Sequence, residues 1–254
     1  MHTKASLKEQ LTEMNIDPSG TILVHSSFKS IGKVEGGADT VLDAFSEYMK
    51  EGLLVFPTHT WSTINADNPC FYVEESQSCV GILPELFRKR EDVIRSSHPT
   101  HSVAALGKES KEYVAGDEQF DTPCARNSTW GKLLDRRAHI LLVGVDLRRN
   151  TFIHGIEEWL DIPNRLTDTH EMLYTILADG TKIAVPSRRH RGLPWSEHFW
   201  KVDDVLKEEG ALTFGQLGNA VVRICDTVKM TEVLTRMLTE NPELFSDNEP
   251  LAIV

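Results

Sequence analysis

Residues 21–57 read TILVHSSFKSIGKVEGGADTVLDAFSEYMKEGLLVFP, and this stretch decides the fold. Thr21 to Ser27 is a short, mostly apolar run that ends in small polar residues, the pattern of a buried strand. After a loop containing Gly36 and Gly37, the residues Val41, Ala44, Phe45 and Tyr48 recur at helical spacing. Gly52 then stops the helix before a second apolar run, LLVFPTHT, whose strand ends at Pro57. Strand, glycine-bearing loop, helix, strand is a βαβ-like unit. It predicts an α/β fold: a central mixed, partly parallel β-sheet flanked by helices.

The flanking sequence extends this pattern. Upstream, MHTKASLKEQLTEMNI lacks the apolar core of a signal peptide and reads as an amphipathic helix. Ser6 and Glu9 form a capping box there, and Leu7, Leu11 and Met14 share one face. Downstream, residues 62–80 are polar and irregular, an excursion from the strand end. A short helix, ILPELFRKR, and a further apolar strand in VIRSSHPTHSVAALG follow. DTPCARNSTWGKLL runs from loop into helix, with Ser128 or Thr129 as N-cap, and AHILLVGV is another buried strand.

Beyond Pro163, EMLYTILADGTKIAV predicts a hairpin turning at Asp179-Gly180, and SRRHRGLPW is a basic loop. A helix from Ser196 puts Phe199, Val202, Val205 and Leu206 inward. NAVVRICD is one more strand, and a final helix capped by Asp226 buries Val228, Val233, Leu234 and Met237 until Asn241-Pro242 ends it. Since no Pro/Gly/Ser-rich linker divides the chain, residues 1–254 read as a single domain. Its core is about 1–165, and a C-terminal β-hairpin/helix extension, about 166–254, packs on that core.

Composition narrows the class of protein. No apolar run approaches the ~18 residues of a membrane span. Four cysteines without a CxxC pair suggest a reduced, cytoplasmic setting. The net charge of -11 argues against nucleic acid as the main partner and suits a cationic small molecule.

Two stretches carry chemistry. In NTFIHGIEEWLDIPNR, Asn150 to Arg165, His154 follows a buried strand, and it shares a helix face with Glu157 and Glu158. Either carboxylate would hold the imidazole in one tautomer and stabilise its protonated form, as a general base requires. Between Ser26 and Gly37, the hydroxyls of Ser26, Ser27 and Ser30 and the ammonium of Lys29 sit with two glycines just before a helix. A helix N-terminus favours anions, so this loop suits phosphate, although it is neither a Walker sequence nor GxGxxG. His98 and His101 flank Pro99. With His154 they would make a metal set, but the HExxH spacing is missing and no metal is expected.

Taken together, VHSSFKSIGKVEGG, LVFPTHTW, SSHPTHSVAALG, NSTWGKLL, LLVGVDLRRNTFIHGIEEWLDIPNR and the HEM that follows resemble the aminoglycoside 3-N-acetyltransferase family. These are acetyl-CoA-dependent antibiotic N-acetyltransferases distinct from the GNAT fold. The segments run from Val24 to Met172 in the family's order. The resemblance implies His154 as catalytic base with Glu157 as its partner. It implies a coenzyme A site at Ser26, Ser27, Phe28, Lys29, Ser30, Gly36 and Gly37, with His98 and Ser102 lining the coenzyme channel. Because Glu158 stands beside Glu157, the sequence leaves open which of them orients the histidine.

The expected reaction is acetyl transfer from acetyl-CoA to an amino group of an aminoglycoside or similar polycation. It proceeds directly within a ternary complex, without a covalent intermediate. Asp67, Glu158, Asp161 and Glu171 are candidates for an acidic acceptor wall. The expected partners are small molecules, with no nucleic acid or membrane, and the chain is expected as monomer or homodimer. Two alternatives are a metal-dependent hydrolase built on His98, His101 and His154, and a non-enzymatic coenzyme A-binding protein.

Overall fold

The computed structural model describes residues 1–191 and 195–251; Gly192, Leu193 and Pro194 of the expected basic loop lie outside the described residues. The strands are β1 (Thr21–Ser26), β2 (Leu53–Pro57), β3 (Cys70–Tyr72), β4 (Ile94–Arg95), β5 (Val103–Gly107), β6 (His139–Val143), β7 (Glu171–Ile176), β8 (Lys182–Ser187), β9 (Leu212–Leu217) and β10 (Ala220–Asp226). The helices are α1 (Lys4–Glu13), α2 (Phe28–Ile31), α3 (Gly37–Tyr48), α4 (Ile82–Phe87), α5 (Ser110–Val114), α6 (Thr129–Asp135), α7 (Thr151–Trp159), α8 (Asp203–Glu208) and α9 (Thr227–Glu240).

Seven strands form a mixed sheet in the order β4-β5-β2-β1-β6-β10-β9. β1 runs parallel to β2 on one side and to β6 on the other, as the βαβ reading requires, while the outer pairs are antiparallel. Strand periodicity sorts the core into two faces. Leu23, Leu53, Val55, Ile140 and Leu142 point to one side, against Trp130 of α6, Phe152 and Ile156 of α7 and Leu234 of α9. Ile22, Val24, Leu54, Phe56 and Leu141 point to the other, against Leu7 and Leu11 of α1 and Val41, Leu42 and Phe45 of α3.

The local readings need four corrections. The cap of α1 is Thr3, whose hydroxyl accepts from the Ser6 amide, and Ser6 is its reciprocal partner instead of the cap itself. The excursion at 62–80 contains β3, which pairs with β7 and builds a second, three-stranded sheet with the β7-β8 hairpin. The segment from Trp195 to Val202 is a 3₁₀ helix, and the α-helix begins only at Asp203. In α9 the buried stripe is Met230, Val233, Leu234 and Leu238, so Val228 and Met237 lie at its margin. The C-terminal strand β10 pairs antiparallel with β6, and β9 pairs with β10 at the edge of the same central sheet.

This topology gathers one end of the sheet into a site. The parallel strands β1, β2 and β6 all finish there, and antiparallel β5 begins there, so their following or preceding loops converge. Gly144, just past β6, holds φ at +65°, and a Cβ at that position would lie 2.3 Å from Ser30 Cβ. Glycine therefore lets the β6 end and the α2 loop touch. No helix among the described residues is long and apolar enough to cross a membrane.

Candidate active site

A cavity of about 560 Å³ opens at this end of the sheet. Five histidines reach its wall: His25 at the end of β1, His59 after β2, His101 before β5, His154 on α7 and His190 after β8. His154, His190, His101 and His59 form a chain of rings with successive centroid separations of 4.2, 5.0 and 4.6 Å.

His154 is the imidazole with a buried carboxylate within its own helix. Its Nδ1 lies 3.0 Å from Glu157 Oε2, the contact that i,i+3 spacing allows. The other oxygen of Glu157 accepts from Arg165 Nε at 2.6 Å. Arg165 is fixed in turn by the carbonyls of Pro163 and Pro242 and by the Trp195 ring 3.7 Å from its guanidinium carbon. Burial pushes the Glu157 carboxyl up, but the bonds and charges of His154 and Arg165 outweigh burial and leave it below the ordinary range. An ionised Glu157 makes Nδ1 the protonated nitrogen and leaves Nε2 unprotonated in the neutral ring.

Glu158 behaves differently. Its carboxylate accepts from the Cys124 amide at 3.0 Å and meets His190 Nε2 at 2.8 Å. Burial dominates and raises it to about 7. The sequence left the orienting carboxylate open between Glu157 and Glu158, and the geometry assigns His154 to Glu157 and His190 to Glu158.

The other imidazoles are held neutral. Burial lowers His25 to about 3 and takes His59, His101 and His190 well below their ordinary value. Nε2 of His25 and of His59, and Oγ of Ser26, are buried with no hydrogen-bond partner among the described residues. All three residues line the cavity, with these particular atoms buried in its wall.

The remaining predicted residues are spread unevenly. Of the proposed coenzyme loop, Ser26 lines the cavity, and Ser27 and Ser30 bond to each other at 2.9 Å. Phe28 is half-buried, and Lys29 and Gly36 are exposed. Gly37 starts α3 with open space where a Cβ would be. His98 is buried behind the wall, its Nδ1 accepting from the His101 amide at 3.0 Å. Ser102 is buried too, bonded to Thr58 and Arg95 and not on the wall.

Of the acidic acceptor candidates, Asp67 and Asp161 are exposed and off the wall, Glu171 pairs with Arg189 at 3.3 Å, and Glu158 is engaged as described. The wall instead carries Arg148, Arg149, Arg189 and Arg191, which sequence reasoning did not single out.

The metal alternative finds a different group from the one expected. Among the described residues, the donor atoms that converge within 4.8 Å belong to Cys124, Glu158 and His190, not to His98, His101 and His154. Burial pushes the Cys124 thiol well up, and Glu158 already bonds His190, so this group has its own hydrogen-bonding explanation.

A sequence model for the family described as aminoglycoside 3-N-acetyltransferase matches residues 23–239. The SPbeta prophage-derived aminoglycoside N(3')-acetyltransferase-like protein YokD of Bacillus subtilis (strain 168) is 27% identical, over 94% of this chain and 93% of its own length. Aminoglycoside N(3)-acetyltransferase IV of Salmonella sp is 27% identical over 95% of this chain and 89% of that protein. Among solved structures, a histidine-to-alanine mutant of aminoglycoside acetyltransferase AAC(3)-IVa in complex with a gentamicin superposes with a TM-score of 0.83. It is 27% identical, and the match covers 96% of this chain and 90% of that one.

Proposed function

The chain belongs to the aminoglycoside 3-N-acetyltransferase family, and from that premise we propose that it transfers an acetyl group from acetyl-CoA to an amine, directly and without an acyl-enzyme. The observation that carries the reading is the His154–Glu157–Arg165 chain at the cavity wall. His154 Nε2 takes the proton of the attacking amine, and Glu157 stabilises the imidazolium that forms. The N-terminus of α7, at the same wall, favours the oxyanion that develops on the thioester carbonyl. The Cys124 thiol, kept protonated by burial, takes no part.

The coenzyme's phosphates fit the hydroxyls and amides from Ser26 to Gly37 at the start of the twelve-residue α3. Relatives carrying aminoglycoside names make the 3-amino group of an aminoglycoside the first acceptor to try. Because β9 and β10 lie in the central sheet, residues 1–254 act as one domain in this reading. The test is amine-dependent release of free thiol from acetyl-CoA by the purified protein. Thiol release independent of every amine would contradict it.

A further inference from the structure

Aminolysis of a thioester moves two protons: one leaves the attacking amine and one joins the departing sulfur. The function proposed above gives the first to His154. A second imidazole with its own carboxyl stands beside it, for the His190 ring stacks on His154 at 4.2 Å and lines the same cavity. Nε2 of His190 meets Glu158 at 2.8 Å, so Nδ1 is the nitrogen left for the cavity. Two rings in contact can each reach a different substituent of one tetrahedral carbon.

The two pairs hold protons in opposite ways. His154 and Arg165 keep Glu157 ionised, the state that supports a base, whereas burial raises Glu158 to about 7. A carboxyl that keeps its proton donates to Nε2, which puts the imidazole proton on Nδ1. The other charged or titratable groups around the pair are His154, Glu157, His59, His98, His101, Arg189, Arg191 and the Cys124 thiol. Burial holds His59, His98 and His101 below their ordinary value and keeps Cys124 protonated. Arg189 and Arg191 are paired with Glu171 and Asp168. Glu158 is therefore the carboxyl here whose charge changes near neutrality. Its bond to His190 is not needed to place the chain. Leu166 bridges to His190, and the Arg191 amide donates to the Arg165 carbonyl at 2.9 Å, so the backbone already holds this segment.

We infer that the Glu158–His190 pair is the proton donor to the departing thiolate; the inference rests on the acetyltransferase reading. The amine nitrogen bonds to the carbonyl carbon and gives its proton to His154 Nε2. The carbon–sulfur bond breaks with its electron pair going to sulfur. Sulfur takes the Nδ1 proton of His190 as Nε2 takes the proton of Glu158. After the products leave, the proton on His154 returns to Glu158 through solvent.

Glu158→Gln keeps the shape and the bond to Nε2 but has no proton to release, and His190→Asn removes the ring. Both are assayed for amine-dependent turnover with acetyl-CoA and with its oxygen-ester analogue, using gentamicin as the first of a panel of amines. An alkoxide needs a proton to leave far more than a thiolate does. Wild-type kcat is expected to fall as pH rises through about 7, because Glu158 must be protonated to act, and both variants should lose that alkaline fall. At neutral pH their kcat should drop ~100 fold with acetyl-CoA and at least ~10 fold further with the ester, while coenzyme affinity by calorimetry holds. Equal losses on the two donors, or an alkaline fall that survives both substitutions, make the pair structural and overturn the inference. So does a wild type inert toward the ester, since a donor at the leaving atom serves an alkoxide as well. Absence of thiol release from acetyl-CoA with every amine overturns the acetyltransferase reading, and the inference with it.

Discussion

The imidazoles of His154 and His190 lie face to face, 4.2 Å between centroids and 27° between planes, and each is bonded to one of two consecutive glutamates. On α7, Glu157 turns back to His154 of its own helix, while Glu158 meets a histidine from beyond β8. Their surroundings push the two carboxyls apart: Glu157 is held low by His154 and Arg165, and burial lifts Glu158 to about 7. Such a split is how adjacent carboxyls come to serve different roles.

Glu157→Gln removes the charge that stabilises protonated His154 and strands Arg165, which is 2% exposed. Turnover is expected to fall ~100 fold or more. Stability should drop by ~3 to 5 kcal/mol, as when one partner of a buried ion pair is lost. Urea denaturation and steady-state kinetics on the same preparation measure both. Unchanged turnover in a folded variant removes Glu157 from the mechanism.

Glu158→Gln tests the second pair. With Glu158 titrating at about 7, the wild-type pH profile of kcat/KM should carry an inflection near neutrality, because the charge beside His190 changes there. The glutamine variant should lack that inflection. A profile identical to wild type would show that Glu158 does not influence the reaction.

Gly37→Asp places a carboxylate at the start of α3, where a Cβ has open space. Its φ of +71° costs a non-glycine residue about 1 kcal/mol, too little to unfold the domain. The added charge repels phosphate at a helix N-terminus, so acetyl-CoA affinity measured by calorimetry should weaken. Unchanged affinity moves the phosphate site away from this loop.

Stability should fall in mild acid. His25, lowered to about 3, binds no proton in the folded state at pH values where the unfolded chain, titrating near 6.5, does. Its contribution is complete above pH 6.5 and is lost as pH falls toward 3, and His59, His101 and His190 act in the same direction. Glu158, raised to about 7, acts oppositely between 7 and 4.5, but it is one group against four. Thermal midpoints across this range should decline with acid, and His25→Asn should flatten the decline. A midpoint that rises on acidification contradicts the burial of these imidazoles.

What the sequence made legible was local. The βαβ order, the β7-β8 turn at Asp179-Gly180 and the spacing of His154 to Glu157 all follow from periods of two or 3.6 residues. β3 was not visible, because Cys70, Phe71 and Tyr72 are too few to show a period and pair with β7 about a hundred residues away. His190 and the four arginines were missed for a similar reason. They come from segments read as loops, and only the convergence of the strand ends puts them on one wall. The one sequence hint was the cation density of LRRN and SRRHR, which overall acidity masked.

The central claim is that His154 is the base of an acetyl transfer to an amine, and His154→Ala assayed beside wild type for amine-dependent thiol release tests it most directly. Coenzyme affinity is measured on the same samples. The account predicts near-normal coenzyme binding with turnover reduced ~100 to 10,000 fold, the range for loss of a general base. A variant that releases thiol at the wild-type rate with a saturating amine would contradict it.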